Sequence, residues 1–221
     1  MDAAFREVRR RAARDGLRGR LRIWQRWTGT PFRVAGDVLP RTGVILDVGC
    51  GFGMLSALLA VQAPGRTVVG IDLDAAKITR ARRLFGDLAR FECLAAAPAA
   101  PDPSAAALPH ADAIVFWDVL HHLADPRAAL VWARSHLRPG GTLVVKENDT
   151  EPWPKHRLAQ AVEVVAVGLA VTTSAPVRFR SRAEWGQLLA SVGFVVQRAE
   201  HLPAREGFFV PHALFVAIRE T

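Results

Sequence analysis

The chain has no tyrosine, only two cysteines, and lysine at just three positions, 77, 146 and 155. Two thiols cannot build a disulfide framework, so a cross-linked scaffold is excluded, Cys50 and Cys93 are read as free, and a reducing cytoplasmic setting is expected. Long hydrophobic runs are also missing. The nearest approach, 164–171, falls well short of the roughly 20 residues that cross a bilayer. The N-terminus has no apolar stretch followed by a small-residue cleavage site, so no leader peptide is expected. What is present, 221 residues of which 50% are hydrophobic, suits one globular domain with a short extension and excludes disorder or fibrous repeats.

The formal net charge is +8, and its location matters more than its size. Residues 1–41 hold eleven arginines against Asp2, Glu7, Asp15 and Asp37, so nearly all of the excess lies in one terminal segment and the remaining chain is close to neutral. Such an asymmetry fits an acidic substrate, an anionic membrane surface, or a plain arginine bias with no partner behind it.

From Phe5 to Trp27 the apolar residues recur at helical spacing with arginines between them, which predicts two short amphipathic helices broken near Gly16. A connector rich in Gly and Pro follows. After it the pattern becomes strands alternating with helices: strands at 44–48, 68–72, 91–94, 113–117 and 142–146, helices at 54–61, 75–85 and 126–137, and an Ala/Pro-rich loop at 95–109. Helical crossovers of this length imply parallel pairing and an open sheet covered on both faces. Toward the C-terminus, 155–171 and 181–192 read as helices, with Ser181 as N-cap and Gly193 past the end. The runs 194–199 and 213–218 have no helix between them, so they are expected as an antiparallel pair at one edge.

The informative segment is Ile45-Leu-Asp47-Val-Gly49-Cys50-Gly51-Phe52-Gly53-Met54. A strand entering three alternate glycines and then a helix offers backbone N–H groups to a ligand at a distance no side chain would permit. Asp72, nineteen residues beyond Gly53, ends the second strand, where a carboxylate can accept from both ribose hydroxyls. A nicotinamide dinucleotide would also use such features, but its fingerprint needs glycine at 54, where Met54 stands. An acid at 47, two residues before the first glycine, would repel a pyrophosphate and suits an ammonium.

Those residues, with Val69-Gly-Ile-Asp72-Leu73-Asp74, Phe116-Trp117-Asp118-Val-Leu-His121-His122-Leu123 and Leu137-Arg-Pro139-Gly140-Gly141-Thr-Leu-Val-Val in the same order, closely resemble the class I S-adenosylmethionine-dependent methyltransferases over residues 43–147. The resemblance implies an α/β fold: a Rossmann-like, open, seven-stranded, mostly parallel sheet ending in an antiparallel C-terminal hairpin, with helices on both faces and an N-terminal helical extension. Residues 1–40 would form a helical cap, and 41–221 the methyltransferase domain, with 148–182 a lid or substrate insertion. Further implications are S-adenosylmethionine as cofactor, its methionine moiety at Asp47 to Gly53, its ribose on Asp72, and its adenine between Leu73 and the loop after the third strand. Many relatives carry an acid in that loop. Here stand Leu94, Ala95, Ala96 and Ala97, so Ala95 and Ala96 would line the pocket through backbone atoms, with Asp102 and Asp112 as distant readers of adenine.

Methyl transfer from a sulfonium is an in-line displacement, and a base is needed only when the nucleophile starts protonated. His121 and His122 follow the fourth strand and Glu147 ends the fifth, so a His polarised by a carboxylate can serve a hydroxyl acceptor, as in similar small-molecule O-methyltransferases. The competing reading is structural, with His122 packed under the next helix and His121 in solvent. Trp117 and Asp118 are expected in the cofactor pocket, against core packing and helix capping respectively. Cys50 is a small filler in the glycine turn, and no metal is assigned.

The expected acceptor is a small or lipid-like molecule. Segment 148–182, with Trp153, Lys155 and His156 before an apolar stretch and Arg178, Arg180 and Arg182 after it, would form a lid, a dimer surface or, together with the basic N-terminus, a peripheral membrane contact. Nucleic acid is not expected, because Trp117-Asp118-Val119 replaces the Asn/Asp-Pro-Pro-Tyr/Phe pattern of base-modifying relatives. The alternatives are a nucleic-acid methyltransferase and a cofactor-binding scaffold without catalysis.

Overall fold

In the computed structural model, which describes residues 3–17, 19–20, 31–94, 108–150, 178–202 and 211–220, the apolar runs become the inner strands of one seven-stranded sheet. The strands are β1 (Thr42–Val48), β2 (Gly65–Asp72), β3 (Arg90–Cys93), β4 (Ala111–Trp117), β5 (Leu137–Asn148), β6 (Phe194–Leu202) and β7 (His212–Arg219). Their order is β3-β2-β1-β4-β5-β7-β6, with β1 to β5 parallel and β7 antiparallel to both of its neighbours.

Successive side chains on a strand point to opposite faces, and both faces are covered, so alternation of polarity disappears. Ile45, Val68, Val115 and Val144 enter one apolar cluster while Leu46, Val69, Ile114 and Val145 enter the other. The first cluster is closed by helices α1 (Ala3–Ala12), α2 (Phe32–Asp37), α3 (Met54–Gln62) and α4 (Ala75–Phe85), the second by α5 (Pro126–His136) and α6 (Arg182–Ser191). Each fully buried Leu, Ile or Phe here contributes about 1.5–3 kcal/mol of burial free energy.

The helix starts follow the sequence chemistry. Asp74 accepts from Ala76 and Lys77 N–H groups at α4, Asp125 from Ala128 N–H at α5, and Ser181 with Glu184 forms a capping box at α6. Two boundaries differ from the sequence reading. The connector before β1 contains α2, because Phe32 and Ala35, nearly one turn apart, are both buried. Strand β5 begins at Leu137, which pairs with Ala111 ahead of a bulge. The expected helix at 155–171 and most of the loop at 95–109 lie outside the described residues.

The basic extension is part of the body. Phe5 and Val8 of α1 are in the core, so the apolar face of this helix covers the sheet. Arg10 pairs with Glu7 at 2.8 Å and Arg11 with Glu7 and Asp87, while Asp15 of the extension pairs with Arg83 at 2.5 Å, so the extension is tied to the body by ion pairs in both directions. The Arg10 and Arg11 guanidiniums hold the Glu7 carboxyl down at about 2. Buried Arg66 donates to the carbonyls of Gly36, Leu39, Pro40 and Leu59 at 2.7–3.2 Å, tying the α2 connector to α3.

β1 lies between β2 and β4, and the chain leaves it in opposite directions on either side. A crevice therefore opens past the C-terminal ends of β1 and β4. The glycine segment and the His-His segment both emerge there.

Candidate active site

The bend after β1 is held from β2. Gly49 and Cys50 N–H groups both donate to the Ile71 carbonyl, at 2.8 and 3.0 Å, and Gly53 N–H closes the turn on the Cys50 carbonyl at 2.9 Å. The alternate glycines are needed for different reasons. A methyl at Gly49 would lie 2.5 Å from Val119 Cγ2, so protein packing forbids a side chain there. A methyl at Gly51 would have nothing within 4 Å, so its neighbourhood is open. Gly53, at φ 76°, precedes α3 without a side-chain cap, leaving that positive helix terminus beside the bend.

Asp72 is anchored and retains acceptor capacity. Its Oδ2 accepts from Gly51 N–H at 2.8 Å and its Oδ1 from Asp74 N–H at 2.9 Å, which leaves a lone pair on each oxygen for a further donor. Leu73 beside it is 70% exposed, an apolar surface at the mouth of the crevice. Asp47 sits deeper: it is buried, and its Oδ2 accepts the Ser56 hydroxyl of α3 at 2.5 Å. Burial, reinforced by the Asp47 and Asp72 charges, pushes the Cys50 thiol well up, and its sulfur lies 2.9 Å from where a methyl on Gly70 would stand. Cys50 is thus a protonated filler, as its place in the turn suggested.

On the other side of the crevice, β5 grips the turn after β4. Glu147 Oε1 accepts from Val119 and Leu120 N–H groups at 3.0 and 2.7 Å, and its Oε2 contacts His121 Nδ1. Both side chains are buried, at 0% and 2% exposure. His122 is half-buried, its ring 3.9 Å from that of His121, while Phe179 stacks on His121 at 5.4 Å and Arg178 N–H donates to the His121 carbonyl at 3.0 Å. The structural alternative for the pair is reversed, since His121 is the enclosed residue and His122 the more open one. Trp117 is core, 6.3 Å from Phe32, and its indole Nε1 is buried with no partner among the described residues. Asp118 does not cap a helix: it takes φ 57°, its N–H donates to the Lys146 carbonyl at 2.9 Å, and its carboxylate meets the Lys146 ammonium.

Residues 11–199 match the family described as methyltransferase domain. The chain belongs to that family. Trans-aconitate 2-methyltransferases of Variovorax paradoxus and Paracidovorax citrulli are similar to it. The first is 36% identical over 128 residues, covering 58% of this chain and 47% of the relative, and the second 32% over 179 residues, covering 77% and 66%. The chain therefore spans about half to two thirds of the length of these curated relatives. Among solved structures, the 1,6-didemethyltoxoflavin-N1-methyltransferase of Burkholderia thailandensis, with bound 1,6-didemethyltoxoflavin and S-adenosylhomocysteine, superposes with a TM-score of 0.62. Identity there is 18%, over 88% of this chain and 81% of that one, and it shows the class I Rossmann-like methyltransferase fold.

The structure brings His121, His122 and Glu147 together, and it places Gly49, Gly51 and Gly53 in one bend that Asp72 meets from the end of β2. Ala95 and Ala96 lie outside the described residues, as does Asp102. Asp112 is removed from the adenine question. It lies near the start of β4, at the opposite end of the strands from the crevice, where it accepts from Val44 N–H at 2.7 Å and pairs with Arg138. Sequence reasoning missed Lys146, Ser56 and Phe179. Only Lys146 carried a signal, as a rare lysine closing an apolar strand.

Proposed function

We propose that this methyltransferase-family chain moves a methyl group from S-adenosylmethionine to an oxygen of a small acceptor. One observation carries the reading: the Gly51 amide and the Asp72 carboxylate meet at 2.8 Å beside open space, at the crevice that also receives the buried His121–Glu147 pair. A nucleoside with a positively charged side arm fits these groups. Asp72 would accept from the ribose hydroxyls, Leu73 would cover the adenine, and the bend from Gly49 to Gly53 with Asp47 beneath it would receive the methionine end. When bound, the cofactor supplies a methyl carbon that any aligned lone pair can displace from sulfur.

The chain's own part is alignment and proton removal. Glu147 fixes the orientation of the His121 ring through Nδ1, and an imidazole held by a carboxylate in this way would serve as the base for a hydroxyl proton. Phe179 and the Arg178 backbone cover this ring, so the acceptor enters by shifting the segment at 178–180. A small acceptor agrees with trans-aconitate, named in the similar enzymes.

Calorimetry with S-adenosylhomocysteine is the first test, with a dissociation constant in the range of about 1 µM to 1 mM expected. Transfer of labelled methyl to trans-aconitate, and then to fractions of a cell extract, identifies the acceptor class. Absence of nucleoside binding overturns the reading, and label appearing in nucleic acid overturns the acceptor class.

A further inference from the structure

We infer that Lys146 is a positioning residue: through Asp118 it sets the turn at 118–121, and with it both the wall of the glycine bend and the His121 ring. This rests on the cofactor reading above. Lys146 is fully buried on β5, paired in register with Trp117 on one side and Leu214 on the other, both apolar and buried. A cation in such surroundings is a poor source of stability, since an apolar side chain of the same volume usually serves the fold as well or better. What it does hold is an unusual backbone. Asp118 is the one non-glycine among the described residues with positive φ, at 57°, a conformation that costs about 1 kcal/mol or more and persists only where its surroundings enforce it. Here the enforcement comes from one residue used twice, because the Lys146 carbonyl takes the Asp118 N–H at 2.9 Å and the Lys146 ammonium takes its carboxylate.

Lys146 and Glu147 are consecutive on a strand, so they point to opposite faces of the sheet, and together they hold the turn from both sides. Glu147 holds the Val119 and Leu120 amides and His121. Val119 in turn presses its methyls into the space that a side chain on Gly49 would need. Any rotation at Asp118 is therefore carried to the cofactor bend through Val119 and to the acceptor side through His121. Lys146 need touch neither ligand to act on both.

The experiment uses the full chain with Lys146→Met and Asp118→Asn combined, which removes both charges and leaves no buried ion unpaired. Its readouts are the melting temperature, S-adenosylhomocysteine affinity by calorimetry, and the histidine ring 15N signals with and without nucleoside. The expected result is a melting temperature close to that of the parent, affinity weaker by about tenfold or more, and loss of the nucleoside-dependent shift at His121. A double variant that binds as tightly as the parent and retains that shift overturns the inference, since the pair would then only balance charge. A parent protein that binds no nucleoside overturns the functional reading itself, an outcome separable because it appears before any variant is made.

Discussion

Glu147 divides its carboxylate: Oε2 meets His121 Nδ1, while Oε1 takes the amides of Val119 and Leu120, both from the turn that carries His121. The acid that orients the imidazole thus also folds the loop presenting it. Glu147→Gln retains an acceptor for the amides but turns a donor toward His121, so turnover with a hydroxyl acceptor is expected to fall about 10²–10⁴-fold. S-adenosylhomocysteine affinity should change little. Glu147→Ala strips the buried amides as well and should cost about 2–5 kcal/mol of stability by chemical denaturation. Equal turnover in the parent and Glu147→Gln would remove the dyad from the mechanism.

The glycines of the bend separate packing from binding. Gly49→Ala drives a methyl to 2.5 Å from Val119, at φ 72°, and is expected to lower stability by about 1–3 kcal/mol. Gly51→Ala meets only the strain of φ 55°, because nothing lies within 4 Å of the added carbon. Its stability loss should stay near 1 kcal/mol while nucleoside affinity falls about tenfold or more. Paired melting curves and titrations check this, and a Gly51→Ala protein with unchanged affinity would place the ligand elsewhere.

Asp72→Asn keeps an acceptor for one of the Gly51 and Asp74 N–H groups and loses the other, so a stability cost of about 1 kcal/mol is expected, with nucleoside binding weakened by about 1.5–3 kcal/mol through loss of a charged acceptor. Competition between adenosine and its 2′-deoxy form locates the effect. The parent should discriminate between them and the variant should not.

Arg66→Met tests the tie between the connector and α3. Removing four donor contacts leaves buried carbonyls of Leu39 and Leu59 without them, and a loss of about 2–4 kcal/mol follows. Urea denaturation measures it, with nucleoside affinity in the folded variant expected to be unaffected.

Acidification tests Asp112. The Val44 N–H, assisted by Arg138 and opposed by burial, holds this carboxyl below its ordinary value of 3.8. A folded pKa below the unfolded one contributes stability above about pH 4 that disappears as pH falls through the folded value. Asp112 is about a third exposed, so solvent screening limits the contribution to about 1 kcal/mol or less. Asp112→Asn should lower stability at neutrality by up to that amount and flatten the stability profile below about pH 4.

Much of this protein could be read from local pattern. Runs such as Ile45 to Val48 and Ala113 to Trp117 are apolar at every position or nearly so, because the strands are buried on both faces, and that signature survives without any knowledge of neighbours. The glycine bend and Asp72 were legible for a similar reason: the conformation they need is imposed within a few residues, and their spacing is part of the chemistry. Helix α2 was hidden by the Gly and Pro residues around it, since six residues hold a helix only when Phe32 and Ala35 find a core to enter.

The His121–Glu147 side depended on distance in the chain. Nothing near His121 and His122 distinguishes them. His121 is enclosed because Glu147, 26 residues later, reaches it across the β4–β5 pairing, and Phe179 closes over it from further still. Lys146 and Asp118 are joined in the same way. The sequence by itself determined the strands, the helix caps and the glycine bend, all set by short-range sterics, hydrogen bonding and hydrophobic periodicity. Only the tertiary structure decided which imidazole is enclosed and which charges are paired, because those outcomes arise where parallel strands bring separate segments side by side and exclude water from between them.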